Sequence, residues 1–310
     1  MMKIEKYAPV IMFVFNRPTH VQKLIDSLKA NEESKRTDVF IFSDAALKTE
    51  DEENVKIVRK MLSEISGFQN VTVVERSENY GLARNIIEGV SDIVSKYGKA
   101  IILEDDIEVS KYFLRYMNEA LQLYEDAESV MAVSGYCEIP RNRKKKLPTT
   151  FFLPWFDCWG WATWDRAWKY FEKDPQKLVD TITDEQKKFI DINGTAHRWG
   201  QVENNLKGRI NTWAIFFYVQ IILHEGLVLY CNQDMCRNIG NDGSGTDGGL
   251  TNLYSVKQLT DHAVNLEKIK IERCKKAENE LQLFYRLLPI RIFFEKVHRK
   301  LRKVILAVGK

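Results

Sequence analysis

Short apolar runs, each followed by a stretch of helical periodicity, constrain the fold of this chain more than any other feature. The runs are rich in Val, Ile and Phe and do not alternate with polar residues, which is typical of strands buried on both faces. They are Pro9–Phe15, Val39–Phe42, Val71–Val74, Ala100–Leu103 and Met131–Ser134. Amphipathic stretches such as Val21–Ala30 and Val55–Ile65 lie between them, and Pro18 suits the start of the first helix. The alternation predicts an α/β fold with a mostly parallel, Rossmann-type sheet flanked by helices.

The charge of the chain is unevenly distributed. The formal net charge is +3, but from Arg286 onward eight Lys and Arg residues stand against one acid, Glu295. The rest of the chain is therefore slightly acidic, and its bulk charge argues against a nucleic-acid-binding protein. With 45% apolar residues the chain is able to bury a large core.

Two observations bear on the compartment. The five cysteines are scattered without CxxC spacing, which favours free thiols in a reducing compartment over disulfides or a zinc site. The N-terminal residues resemble no signal peptide, and no apolar run is long enough for a membrane span. We therefore expect a cytoplasmic protein.

The regular pattern weakens after about residue 140. Arg141–Lys146 is predicted to be a solvated basic loop, and an aromatic block, Phe151–Trp168, follows it. A glycine-dense segment, Gly240–Gly249, comes later. We predict one catalytic domain over residues 1–265 and a helical, basic amphipathic tail over residues 266–310.

Three consecutive acids, Glu104, Asp105 and Asp106, follow the predicted strand Ala100–Leu103 and are called the acid triplet below. Neighbouring carboxylates repel one another and are costly to desolvate, so stability alone does not explain them. At the carboxyl end of a strand in an open α/β sheet, they are expected to hold Mg²⁺ or Mn²⁺ and the phosphates of a ligand. The alternative is that they cap the helix that follows.

Other strand ends carry polar side chains of the kind that bind ligands. Arg17 follows the first strand and Asp44 the second, where a guanidinium suits a diphosphate and a carboxylate suits a base or ribose. Gly81 begins a helix after the third strand and would permit close approach of a nucleotide. Taken singly, each has a simpler reading as a surface arginine, a turn aspartate or an ordinary helix start.

The order of these motifs resembles glycosyltransferases of the GT-A fold, in particular N-acetylglucosaminyltransferase I and bacterial relatives that act in surface-polysaccharide synthesis. Five blocks carry the resemblance over roughly residues 8–250: Asn16-Arg17-Pro18 with Ser43-Asp44, Tyr80 to Asn85, the acid triplet, Cys158 to Trp164, and Asn238 to Thr246.

The resemblance implies roles for individual residues. Arg17 would face the donor diphosphate or base pocket, Asp44 a uracil-type base, and Asn85 the donor. Asp105 would lie near the ribose and Asp106 would bind the metal, with Glu104 supporting its waters. Trp159 and Trp161 would form a wall for the donor sugar and acceptor. Gly240–Gly249 would be a lid over the donor.

The general base is where this sequence departs from the resemblance. An inverting transferase needs a group that takes the proton of the acceptor hydroxyl, and the family's acid after a tryptophan corresponds here to Ala214, after Trp213. Glu203 in a predicted helix is the preferred substitute and Asp157 the second choice. A shifted correspondence and a loss of activity are the remaining readings.

The tail has apolar residues at helical spacing, among them Ile290, Phe293 and Val297, with basic residues between them. Pro289 suits a helix start. Such a helix is expected either to contact an anionic membrane surface through residues 286–310 or to pack on the protein itself or on a second copy.

The residues and the resemblance together predict a metal-dependent transferase that uses a nucleotide-sugar, typically a UDP-sugar, and a glycan or lipid-linked oligosaccharide acceptor, and the resemblance alone implies inversion. The transferred group would be a hexose or an N-acetylhexosamine. A catalytically impaired glycan-binding or scaffold protein and a nucleotidyltransferase are the rival functions. The second would usually need a glycine-rich basic loop after the first strand, where Asn16-Arg17-Pro18 stands instead.

Overall fold

The computed structural model describes residues 4–241 and 253–308, with side chains as far as Phe293. Within these ranges the strands are β1 (Val10–Val14), β2 (Asp38–Ser43), β3 (Asn70–Glu75), β4 (Lys99–Glu104), β5 (Ile107–Val109), β6 (Val130–Ser134), β7 (Thr150–Leu153), β8 (Trp161–Trp164), β9 (Leu227–Cys231) and β10 (Cys236–Asn238). The helices are α1 (Pro18–Lys29), α2 (Thr49–Ser63), α3 (Gly81–Tyr97), α4 (Phe113–Leu123), α5 (Arg141–Lys144), α6 (Asp165–Trp168), α7 (Pro175–Thr181), α8 (Asp184–Ile190), α9 (Trp199–Leu206), α10 (Ala214–Leu223) and α11 (Lys275–Val308).

Eight strands form one sheet in the order β3-β2-β1-β4-β8-β6-β9-β7. Strands β1 to β4 pair in parallel, as does β6 with β9, whereas β8 runs antiparallel between β4 and β6 and β7 is an antiparallel edge. A separate two-stranded ribbon joins β5 to β10. The predicted α/β fold with a mostly parallel sheet is confirmed.

Helices cover both faces of the sheet, so the apolar core has two halves. One half is formed with α1, α2 and α4, and the other with α3, α10 and the first turns of α11. Strands β1, β6 and β9 are buried along their whole length, which explains why their sequences do not alternate with polar residues.

Two proline predictions had different outcomes. Pro18 is the first residue of α1, as predicted, where a missing N–H has no helical partner to lose. Pro289 does not begin a helix: α11 starts at Lys275 and continues through Pro289. The earlier start follows from packing, because Ala277, Leu281 and Phe284 on α11 are buried against the body of the protein.

The predicted solvated loop Arg141–Lys146 is wrong in one important respect. Residues 141–144 form the short helix α5, and Lys144 is fully buried. Its ammonium group pairs with the buried carboxylate of Asp234, and a charge buried in this way needs such a partner. The pair connects two segments that the sequence gives no reason to join.

The cysteines are all free thiols. Over residues 4–241 and 253–308, none of the helices combines the length and the apolarity that a membrane span needs.

Candidate functional site

The acid triplet lies at the edge of the sheet where the parallel strands end. Strand β4 ends at Glu104, and its neighbours β1 and β2 end at Val14 and Ser43, so that Arg17 and Asp44 emerge at the same edge. Strand β8 is antiparallel to β4, with Trp161 opposite Ile102. The segment 157–160, which leads into β8, therefore also reaches this edge.

Arg17 holds two of the three acids. Its Nη2 donates to Oδ1 of Asp105 and also to Oδ2 of Asp106, at 3.1 Å, and its Nε lies 3.4 Å from Oδ2 of Asp105. The next element is strand β5, beginning at Ile107. The acid triplet therefore does not cap a helix, and the alternative reading of it is wrong.

The charges of this cluster oppose one another. Burial raises the pKa of Asp105 to about 6, the Arg17 guanidinium acts in the opposite direction, and the neighbouring Asp106 raises it again. Among the atoms of the described residues, the buried Nη1 of Arg17 has no hydrogen-bond partner. Its N–H groups are suited to an acceptor such as a phosphate oxygen.

The start of the glycine-dense segment lies directly on this cluster. The N–H of Ile239 donates to the backbone oxygen of Asp106 at 2.8 Å. A Cβ atom on Gly240 would overlap Oδ2 of Asp106 and lie 2.9 Å from Nη1 of Arg17, so only glycine permits this approach. Apart from Gly240 and Asn241, the predicted lid lies outside the described residues.

The residues present fit a divalent cation that is bound partly by the protein and partly by the phosphates of a ligand. Among the described residues, no three His, Cys, Asp or Glu side chains lie together as a protein-only metal site. Mg²⁺ usually binds one or two carboxylates together with the phosphates of a substrate, and carboxylate oxygens also suit Mn²⁺. The Asp106 side chain is 15% exposed, and that of Asp105 is 7% exposed and more tightly held by Arg17. Asp106 is the carboxylate better suited to such a cation.

Asp44 connects β2 to the beginning of α3. Its buried carboxylate accepts hydrogen bonds from the N–H groups of Tyr80, at 2.8 Å, and Gly81, at 2.9 Å. Gly81 has a φ of +67°, a conformation that favours glycine. Asp44 therefore fixes the N-terminus of α3 against the sheet edge, and any contact with a base would be additional to this role.

Asn85 is buried on α3 and accepts a hydrogen bond from Nε of Arg76, at 3.0 Å. The Arg76 guanidinium also lies 4.3 Å from the ring centre of Tyr80. Asn85 thus holds an arginine at the end of β3 that the sequence analysis did not identify.

Two adjoining cavities lie beside the segment 157–160. The first, which Glu138 also lines, and the second, which Ala214 also lines, share four residues in their walls: Phe156, Asp157, Arg198 and Tyr218. Ala214, which stands where the resemblance implies an acid, lines the second cavity together with Asp157. The acid triplet lines neither cavity, but the charge of Glu104, with that of Asp157, contributes to raising the pKa of the intervening Cys158, an increase due mainly to burial.

Asp157 has the electrostatics of a proton acceptor. Burial, and then the negative charge of Glu138, raises its pKa to about 7. The backbone N–H of Trp159, 2.9 Å from Oδ1, and the positive charge of Arg198 oppose the increase. A carboxyl group with such a pKa is able to exchange a proton near neutral pH.

Glu203 has a different environment. Its side chain is exposed on α9 and accepts a hydrogen bond from Nε1 of Trp199, one turn earlier, at 3.0 Å. It lines neither of the two cavities. Of the two candidate bases, the structure favours Asp157.

The two tryptophans predicted to form a wall for the sugars, Trp159 and Trp161, differ in how deeply they are buried. Trp161 is 0% exposed and packs against Trp213 and Phe217 in the core, so the prediction that it contacts a sugar is wrong. Its ring lies on the face of the sheet that α3 and α10 cover. Trp159 is only partly buried, with its ring 4.5 Å from that of Tyr136, and remains a candidate for such a contact.

Sequence reasoning missed Glu138, Arg198 and Tyr285, which form one hydrogen-bonded cluster at the first cavity. They are far apart in the sequence, and no motif surrounds any of them. An unexplained arginine just before the helix Trp199–Leu206 was the one available signal.

The comparisons with solved structures give low similarity. Mannosyltransferase PcManGT from Pyrobaculum calidifontis, in complex with GDP-Man and Mn²⁺, is 14% identical over 71% of this chain and 69% of that chain, with a TM-score of 0.41. TarS from S. aureus is 15% identical over 41% of this chain and 21% of its own length, with a TM-score of 0.30. The chain thus corresponds to about a fifth of TarS. No curated protein sequence matches it significantly.

The sequence profile described as glycosyl transferase family 2 matches residues 10–173, more than half of the chain. That span runs from β1 past α6 and contains Arg17, the acid triplet and Asp157. The chain belongs to glycosyl transferase family 2.

Proposed function

We propose that this protein transfers a hexose or an N-acetylhexosamine from a UDP-sugar to a glycan or lipid-linked oligosaccharide, with inversion, in surface-polysaccharide synthesis. One observation carries the proposal. Arg17 and two carboxylates lie together at the edge of the sheet, and the segment that reaches the same edge before β8 carries Asp157, which lines both cavities. The likeness to N-acetylglucosaminyltransferase I belongs to the same proposal.

On the donor side, Arg17 would bind a diphosphate through Nη1, which has no partner within residues 4–241 and 253–308, and Asp106 would hold Mn²⁺ or Mg²⁺ with Glu104 nearby. When bound, the cation offsets the charge that develops on the leaving diphosphate. Asp105 would lie towards the ribose. Asp44, Gly81 and Asn85 would shape the base pocket by fixing α3 and Arg76.

On the acceptor side, Asp157 would take the proton from the attacking hydroxyl. Asp157 lines the second cavity together with Ala214, which stands where the resemblance implies an acid. The carboxyl group of Asp157 would therefore take the place of that acid. Trp159 would offer an apolar surface to a sugar ring. Glu203 is the weaker candidate because it is exposed and outside both cavities.

Ala214 also supports a second function, a glycan-binding protein with an impaired site. Asp157 on the same cavity argues for activity. Measuring transfer or donor hydrolysis in Asp157→Asn and Glu203→Gln separates the two: loss only in the first variant supports the proposal, and no activity in the parent protein supports the second function.

We also propose a cytoplasmic protein whose basic segment 286–310 contacts anionic lipid at the inner face of the cytoplasmic membrane. The exposed side chains Ile290 and Phe293 on α11, 54% and 62% exposed, support an apolar contact beside basic residues. The division into residues 1–265 and 266–310 is part of the proposal, with the first turns of α11 packed on the body.

The donor assignment is tested by thermal shift with nucleotide-sugars, with and without Mn²⁺. We expect one class of donor to stabilise the protein only with Mn²⁺, and the stabilisation to be absent in Asp106→Ala. Glu108→Gln, on β5 and paired with Arg237, is the matched control and should retain it. Stabilisation that persists in Asp106→Ala would contradict the assignment.

A further inference from the structure

Helix α11 contributes Leu281 to the wall of the first cavity, and Tyr285, one turn later, bonds to two residues of that wall. Nη2 of Arg198 donates to Oε1 of Glu138 and to the hydroxyl oxygen of Tyr285, at 2.6 Å in each case. The Tyr285 hydroxyl donates to the same carboxylate oxygen. Three groups from three distant segments thus form a closed hydrogen-bonded triangle.

The triangle faces Asp157. Glu138, Arg198 and Asp157 line the first cavity, and so does Leu281, one turn before Tyr285 on α11. Leu281 and Phe284 are buried, which fixes the helix at this position. A segment predicted to be a separate tail therefore closes part of the cavity.

The triangle engages the arginine whose charge acts on Asp157. The carboxylate of Asp157 accepts a hydrogen bond from the backbone of Trp159, while Arg198 is engaged by Glu138 and Tyr285. The charged side chains that act on Asp157 are Glu138, which raises its pKa, and Arg198, which lowers it. An arginine released from the triangle would be free to pair with Asp157 and stabilise its ionised form.

We propose that Tyr285 and Glu138 are positioning residues for Asp157: they hold the Arg198 guanidinium away from its carboxyl group, which then stays available to accept a proton. This inference rests on the proposed transferase function. In the reaction, the acceptor O–H bond breaks as its oxygen bonds to the anomeric carbon. The proton passes to Asp157, and the nucleoside diphosphate leaves with the electron pair of the donor C–O bond.

The first test needs no substrate. The side-chain carboxyl carbons of ¹³C-labelled Asp are titrated by NMR, and Asp157→Asn identifies the signal of Asp157. In the parent protein the signal should titrate near pH 7. In Tyr285→Phe and in Glu138→Gln the midpoint should fall by about one pH unit, the size of effect that a nearby opposite charge produces.

A second variant assigns the effect to Arg198. In an Arg198→Gln background, Tyr285→Phe should no longer change the midpoint, because no guanidinium remains to be released. The matched control is Glu280→Gln. Glu280 lies on α11, as Tyr285 does, and its replacement removes a 2.7 Å ion pair with Arg143 of α5 but no residue that lines the cavity. It should leave the midpoint unchanged. Glu138→Gln also removes a negative charge that acts directly on Asp157, so Tyr285→Phe is the deciding variant, and a midpoint that stays at the parent value in Tyr285→Phe would overturn the proposal.

The pH dependence of transfer provides the second readout. In Tyr285→Phe the acidic limb of kcat should move to lower pH with the donor KM unchanged, whereas a purely structural role would alter stability alone. A limb that stays in place while the NMR midpoint moves would overturn the link to catalysis. If the parent protein binds no nucleotide-sugar with Mn²⁺, the proposed function fails, and the NMR titrations still decide the role of the triangle.

Discussion

Nη2 of Arg17 lies 3.1 Å from Oδ2 of Asp106, and the same nitrogen donates to Asp105, so one guanidinium offsets two adjacent carboxylates. The arrangement explains how three consecutive acids are tolerated at the end of a buried strand. It also leaves Nη1 of Arg17 buried, with no partner among the atoms of the described residues.

We expect Arg17→Gln to weaken the binding of UDP or GDP in the presence of Mn²⁺ by about tenfold or more, because a charge-assisted contact to phosphate is lost. Isothermal titration calorimetry measures the change. Arg115→Gln, which removes an arginine paired with Glu119 on α4, is the control and should bind as the parent does. Equal affinity in Arg17→Gln would refute a role at the diphosphate.

Gly240→Ala should disturb the same cluster from the other side. The added methyl group would overlap Asp106 and crowd Arg17, and overpacking of this kind costs about 1–3 kcal/mol. The free energy of unfolding measured with urea should decrease, and so should the thermal stabilisation by donor in the presence of Mn²⁺. Gly200→Ala on α9 has open space around its Cβ and should raise the free energy of unfolding slightly. Unaltered donor stabilisation in Gly240→Ala would contradict the close approach.

Asp157→Asn should stabilise the protein more at pH 8 than at pH 5. The folded state keeps Asp157 protonated up to about pH 7, whereas an unfolded Asp ionises near pH ~3.9. Over that interval the folded state binds more protons, so this residue lowers the free energy of unfolding as pH rises. Asn removes the penalty, and transfer activity with it.

Thermal unfolding at the two pH values checks this prediction. Glu203→Gln, which neutralises an exposed carboxylate, should show no comparable pH-dependent gain. A stability difference between Asp157→Asn and the parent that is the same at pH 5 and pH 8 would speak against the raised pKa.

Trp161→Ala should cost about 3–5 kcal/mol of unfolding free energy, because it removes a fully buried ring from the core. Trp159→Ala should cost less, since that ring is only partly buried, and should instead raise the KM for the acceptor. Chemical denaturation and steady-state kinetics measure the two effects. A similar loss of stability in both variants would mean that Trp159 too is part of the core.

Ending the chain after Leu288 should preserve the fold and remove binding to anionic vesicles in a flotation assay. The shortened protein keeps Leu281, Phe284 and Tyr285 but loses the basic segment. Ending the chain at residue 265 should expose the apolar surface beneath α11 and cause aggregation. Vesicle binding by the protein ending at Leu288 would show that the contact lies elsewhere.

Local patterns were sufficient to predict the first half of the fold. Each of the five predicted strands overlaps an observed one, and Arg17 does meet the acid triplet, because parallel strands bring their carboxyl ends to one edge. The strands β7, β8 and β9 escaped prediction because they are short buried runs outside the regular strand–helix alternation of the first half, and periodicity alone does not distinguish such runs from buried helix.

The acceptor side could not be predicted from local patterns. Lys144 and Asp234 are 90 positions apart, and Tyr285 is 87 positions from Arg198. The burial that pairs these groups is a property of the assembled core. For the same reason the sequence analysis preferred Glu203, which lies on an exposed helix face, to Asp157, which lines both cavities.

Strand β8 has a further consequence. The backbone hydrogen bonds of one continuous sheet tie β8, which follows the segment carrying Asp157, to β4, which leads into the acid triplet, so these two strands cannot separate without breaking the sheet. Any opening and closing of the cleft during turnover must therefore be carried by what surrounds this rigid frame. The β5–β10 ribbon with Gly240 and the segment bearing Arg198 lie outside this sheet, whereas Tyr285 stands on a helix that buried Leu281 and Phe284 hold in place.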